Sequence, residues 1–85
     1  MYETVNERVD VAVVFGKDPR RTQPLKLLWN GCEYRISKVG YRHKFKDGRD
    51  TVHVFSCTGS TSFFELHFNA SSLTWTLKKV WNGAP

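Results

Sequence analysis

Apolar and polar residues alternate along most of the chain, and nowhere does the i, i+3, i+4, i+7 spacing of an amphipathic helix persist over three turns. Val9, Val11, Val13 and Phe15 alternate with Arg8, Asp10, Ala12 and Val14, which predicts a first strand that stops at Gly16. The following segment, Lys17 to Pro24, holds two prolines and Arg20-Arg21, and reads as a basic surface loop, because proline withholds a donor from any ladder. Asn30-Gly31 then marks a hairpin tip, since this pair tolerates the positive φ that both central positions of a type I′ turn demand. Two-residue closure sets the register: Trp29 opposite Cys32, Leu27 opposite Tyr34 and Leu25 opposite Ile36 on an apolar side, Leu28/Glu33 and Lys26/Arg35 on the other.

Past Ser37 the apolar phase slips by one, to Val39, Tyr41, His43 and Phe45, which predicts a bulge or bend at Gly40. Asp47-Gly48 is expected at the centre of a second hairpin that pairs Tyr41 with Val54 and His43 with Val52, with Arg42, Lys44 and Lys46 on the opposite face beside His53, Thr51 and Arg49. Phe64, Leu66 and Phe68 should meet Trp75 and Leu77 from the last strand, and with Trp29, Tyr34 and Ile36 they are the expected core. The whole reads as one all-β domain over residues 1–85, with six antiparallel strands near 8–15, 25–30, 32–45, 51–58, 63–69 and 74–81 curled into a small barrel or roll.

Composition narrows the class. In 85 residues there is room for one core, and 40% hydrophobic with 25% charged residues is too apolar for a disordered chain and too interrupted by charge for a membrane span. With no apolar run behind a basic start and only Cys32 and Cys57 available, neither a secretory signal nor a disulfide framework is expected, and the reading is a cytoplasmic protein with reduced thiols and no membrane contact.

The formal net charge of +5 is unevenly placed: residues 17–49 carry ten cations against Asp18, Glu33 and Asp47, while residues 1–16 are net negative. This basic belt would attract polyanions, although such charge also serves solubility. The directly opposed Lys26 and Arg35 need an anion or a neighbouring carboxylate to offset their repulsion.

Catalysis has little to stand on. His43, His53, His67 and Cys57 lack metal-site spacing, a Cys–His nucleophile would need a cleft, and Gly59-Ser60-Thr61-Ser62 runs into strand pattern rather than opening a helix. A non-enzyme with no metal and no cofactor is expected. Small β-barrels bind single strands through a basic groove with aromatics on which bases stack. The candidate binding residues are accordingly Arg20, Arg21, Lys26, Arg35, Arg42, Lys44, Lys46 and Arg49, with Phe55, Phe63 and Trp81 as aromatics facing away from the core. The expected partner is nucleic acid, DNA or RNA, or an acidic protein. A protein-docking module using the same aromatics as anchors is the alternative.

Trp29-x-Gly31-x-x-Tyr34-x-Ile36-x-x-Val39, Phe64-x-Leu66-x-Phe68 and Trp75-x-Leu77-x-x-Val80-Trp81, spanning residues 25–82, resemble the pattern of a group of short bacterial β-domain proteins of no assigned activity. These are core and turn positions, so the resemblance implies a shared fold and carries over no catalytic residue. Some members of that group are encoded near lesion-bypass DNA polymerases, which implies a bacterial protein and favours the nucleic-acid reading.

Overall fold

A computed structural model describes residues 2–18 and 22–82. Seven antiparallel strands, β1 (Tyr2–Val14), β2 (Gln23–Trp29), β3 (Cys32–Arg35), β4 (Lys38–Asp47), β5 (Asp50–Thr58), β6 (Ser62–Asn69) and β7 (Thr74–Asn82), form one sheet in the order β3-β2-β1-β7-β6-β5-β4. Every strand lies beside its neighbours in sequence, and β1 pairs with β7, so only the junction between β3 and β4 is left unpaired. These two strands are the edges, yet only Ile36 and Ser37 separate them in sequence. The Ile36 amide donates to the Leu25 carbonyl at 2.8 Å and the Ser37 amide to the Thr58 carbonyl at 2.8 Å, so the chain steps from one edge to the other within a single peptide. The sheet is therefore curled with its edges pinned together at one corner. It is not a closed barrel, because β3 ends after four residues, where the chain crosses to β5, and no ladder forms along the seam.

Six expected strands became seven where the run 32–45 breaks at this corner. The bulge at Gly40 is present as well, as a register shift between Val39 and Tyr41. The first strand begins at Tyr2 rather than Arg8. Asn6 adopts φ 56° in a bulge between Thr4 and Glu7, and the resulting slip breaks the alternation that would have revealed the strand.

The first hairpin has the expected register throughout, with Asn30 at φ 54° and Gly31 at φ 73°. The second differs by two residues. Asp47 pairs with Asp50, and the tip is Gly48-Arg49 with positive φ at Gly48 alone, the signature of a type II′ turn, which needs glycine only at its first central position. Tyr41 consequently opposes Ser56, and His43 opposes Val54.

The core lies on the inner face, as cross-strand rows Cys57–Phe64–Val80 and Phe55–Leu66–Leu77 closed over by Leu27, Phe68 and Trp75. Trp29, Tyr34 and Ile36 pack at its margin. Phe55 is only 3% exposed, which overturns its expected place among the binding aromatics. Its exclusion from the core rested on putting Tyr41, His43, Phe45, Val52 and Val54 on the inner face; they lie on the other one, where Tyr41 and Phe45 are exposed although Val52 and Val54 are buried. β5 is apolar on both faces, so alternation along it cannot say which is inner. The large inner side chains of β6 decide, since Phe55 and Cys57 oppose Leu66 and Phe64.

Gly59 seals the pinned corner. A Cβ there would meet Phe64 Cε2 at 3.0 Å, the Arg35 carbonyl at 3.2 Å and the Ser62 carbonyl at 3.4 Å, and two of those three neighbours are backbone. Gly59→Ala is expected to cost about 1–3 kcal/mol as an overpacked site, read as a lower urea midpoint; an unchanged midpoint would show that the corner can open without cost.

Candidate functional site

The outer face of β4, β5, β6, β7 and β1 is ordered by the ladder registers into rows. Lys38, Thr58, Phe63, Trp81 and Tyr2 form the first, Tyr41, Ser56, Glu65, Lys79 and Thr4 the second, and His43, Val54, His67, Thr76 and Arg8 the third. Directly opposed residues of antiparallel strands share a face, so these side chains all lie on the outer side of the curled sheet. Tyr41 is 62% exposed, Tyr2 49%, Phe45 42% and Phe63 41%; Tyr41 and Phe63 border one groove with Trp81, and Phe45 stands apart opposite Val52. Tyr2 and Trp81 stack with ring centroids 5.3 Å apart, and the Lys79 ammonium lies 5.3 Å from the centre of the Tyr2 ring. Lys38, Lys79 and Arg8 stand in these rows beside a single carboxylate, Glu65, and Lys78 reaches Asn6 Oδ1 at 2.9 Å. Between Tyr41 on one side and Phe63 with Trp81 on the other runs an open groove of 380 Å³, floored by Ser56 and Thr58.

The expected belt does not form one surface. Lys26 and Arg35 oppose each other as expected, on the far side of β2 and β3 from Leu27 and Tyr34, and a carboxylate answers their repulsion, because Lys26 Nζ bonds Glu33 Oε1 at 2.9 Å. That ion pair holds the Glu33 carboxyl below its usual range. Arg42, Lys44 and Lys46 share the inner face of the edge strand β4, opposite to Tyr41 and Phe45. Arg42 is engaged structurally: its guanidinium lies over Phe55 at 5.4 Å and donates to the Thr22 carbonyl at 2.9 Å, tying β4 to the approach to β2 across the seam. Arg49 sits at the hairpin tip, and Arg20 and Arg21 lie outside the described residues. Of the expected aromatics, Phe63 and Trp81 are cross-strand neighbours on the outer face. Tyr2, Lys38, Tyr41 and Lys79 were missed. Tyr41 alternates like a core residue, and the inner face of β6 and β7 had to be known before it could be turned outward.

Among the described residues no group of three or more His, Cys, Asp or Glu side chains is placed to hold a metal ion, and no helix is long and apolar enough to cross a membrane. Both cysteines are free. Burial pushes the Cys57 thiol up to about 12 against the opposing pull of Arg42, while Cys32 is exposed. Since the thiolate is the reactive form, one thiol per chain should react with a disulfide reagent in the native protein and the second only on unfolding. Two fast-reacting native thiols would place Cys57 at the surface.

Two histidines carry a pH dependence. Burial lowers the pKa of His53 from its ordinary 6.5, reinforced by Lys44. It also lowers that of His67, with Lys78 and His43 acting in the same direction, although the Glu65 carboxylate 2.8 Å from the ring opposes the shift. As pH falls, the unfolded chain takes up these protons before the folded one does, so stability is full above the ordinary value and declines as pH drops through it toward the folded values. The urea midpoint is expected to be lower at pH 5.5 than at 7.5; equal midpoints would mean that neither ring feels its burial.

No family model matches the chain, and comparison with curated proteins and with solved structures finds no match to either.

Proposed function

We propose that the protein is a small binding module whose outer sheet face takes single-stranded nucleic acid. The observation that carries this reading is the set of half-exposed aromatic rings, Tyr2, Tyr41 and Phe63 with Trp81, lying with Lys38 and Lys79 in two adjacent cross-strand rows in which Glu65 is the one carboxylate. Rings offer stacking surfaces to unpaired bases of any identity, and ammonium groups beside them meet the phosphates that connect those bases. A duplex fits poorly. Its bases are already stacked on one another and offer the exposed rings no free faces. The role expected for the belt thus passes to cations of the outer face, with Lys44, Lys46 and Arg49 contributing at most a long-range field.

The rival is a protein-docking surface anchored by the same rings. The edge strand weighs against partner-strand addition there, because Lys38, Lys44 and Lys46 project from β4, and charged side chains discourage edge pairing. Titration of labelled single- and double-stranded oligonucleotides at low and physiological salt, followed by amide shifts, separates the two. Binding of the single strand should shift amides of Tyr41, Phe63 and Lys79, and should weaken with salt at a logarithmic slope of about −2 to −3 for three or four phosphate contacts. If no amide of this face moves at low salt, the nucleic-acid reading fails and the docking reading takes its place.

A further inference from the structure

On each of its sides β1 is paired for only part of its length. β7 takes Tyr2 to Val9 and β2 takes Asp10 to Val14, so among the described residues no strand pairs with the β7 side of residues 10–14, a free run about 17 Å long. The other free stretches of edge are guarded against chance pairing. β4 carries Lys38, Lys44 and Lys46, β3 is four residues long with Glu33 and Arg35, and the β2 side of Tyr2–Arg8 has the bulge at Asn6 with Glu3, Glu7 and Arg8 around it. Residues 10–14 have one charge, Asp10 at the end, followed by Val11-Ala12-Val13-Val14; the irregularity beside them puts its extra residue, Leu25, in β2. Along the run lies an open cleft of about 630 Å³ bordered by Val11, Val13, Phe15, Phe68, Leu73 and Trp75. Val14, Phe15 and Leu73 are each more than half exposed, so this end of the sheet leaves apolar side chains in water beside unpaired backbone.

We infer that a second copy of the chain closes this half-edge, residues 10–14 of the two molecules pairing antiparallel about a twofold axis at Ala12. The limits of the run select that occupant. It stops at Val9, where the β7 ladder ends, and at Val14, where β1 ends, so two copies centred on Ala12 use up each other's free backbone groups and leave none over. In that register Val11 opposes Val13 of the second copy, and the inner row Tyr34–Leu27–Val11 continues through that Val13 into Pro24 of the second copy, apolar from end to end. Charge agrees. Each molecule carries +5, but Arg8 and Asp10 are the only charged residues lining the cleft and they cancel, so the copies meet where like charge does not hold them apart and where a polyanion has nothing to bind. A twofold contact also closes at two molecules, whereas a head-to-tail one would leave a free run at each end and grow. This contact involves neither Tyr41 nor Phe63 and stands apart from the nucleic-acid reading.

Sedimentation of the full chain at tens of micromolar should give twice the 9.9 kDa of one molecule. Ala12 is exposed and faces Lys26 on β2, so Ala12→Glu keeps the fold of one chain while setting two carboxylates face to face at the axis, and the dissociation constant should rise about 100-fold. Ala12→Lys should do the same. An equimolar mixture of the two variants should dimerise again, because the facing charges are then opposite, and far-UV circular dichroism checks that each variant is folded. In a mixture of isotope-labelled and unlabelled unaltered chains, a contact between Val11 of one molecule and Val13 of the other should appear, which reads the register without any substitution. A chain that sediments as a monomer at millimolar concentration overturns the inference and leaves the run to a strand of another protein. A dimer that survives both substitutions, or one that lacks the contact between Val11 and Val13, overturns it as well.

Discussion

Tyr41→Ala is expected to weaken binding of a single-stranded oligonucleotide by about 5- to 150-fold, the equivalent of about 1–3 kcal/mol for one stacked base. The melting temperature should stay within a degree or two. The asymmetry follows from where the ring sits: it is 62% exposed on an edge strand, with the His43 ring 5.2 Å away, so its removal opens no buried cavity. Phe63→Ala should give a comparable loss of binding with a somewhat larger loss of stability, because that ring is more covered and opposes Trp81. Isothermal titration alongside a thermal melt reads both quantities. Unchanged affinity for both variants would remove stacking from this face, whatever the lysines do.

The largest effect on stability should come from Trp75→Ala. The indole is 7% exposed and packs against Phe68 with centroids 4.7 Å apart and against Phe55 at 5.6 Å. Truncating a buried tryptophan costs about 3–5 kcal/mol. The total stability of a domain this size is about 4–13 kcal/mol, so the variant should lose a large part of its urea midpoint or fail to fold at 37 °C. Aromatic packing that crosses three strands leaves no neighbour able to collapse into the hole. A variant that retained its full midpoint would show that the row from β5 to β7 is not the centre of the core. The same substitution tests the architecture independently of any ligand.

Several features were legible from local chemistry. Asn30-Gly31 set both the tip and the register of the first hairpin, because positive φ at two successive residues is a constraint few residue pairs meet. Strand type throughout, the inward rows of Phe64, Leu66 and Phe68, and their meeting with Trp75 and Leu77 followed from alternation interrupted by turn residues. The second hairpin was misplaced by two because Asp47-Gly48 and Gly48-Arg49 are both acceptable tips, and the choice between them lies in how β5 aligns with β6.

By itself, then, the sequence determined an all-β chain, where most of its turns fall, and which apolar side chains of its last two strands share a face, since each of these is decided within a few residues by φ, donor count and period. Only the tertiary structure decided which face of β4 and β5 is the inner one, because both carry apolar residues and the tie is broken by strands distant in sequence. That decision buries Phe55 and turns Tyr41 outward beside Phe63. It also divides cations that are adjacent in sequence, setting Lys38 among the exposed rings while Arg42 is held over Phe55 and bonded to Thr22. Charge along a chain is a one-dimensional sum, whereas a binding face is made by the pairing of β1 with β7, residues some seventy positions apart, and no local pattern carries that pairing.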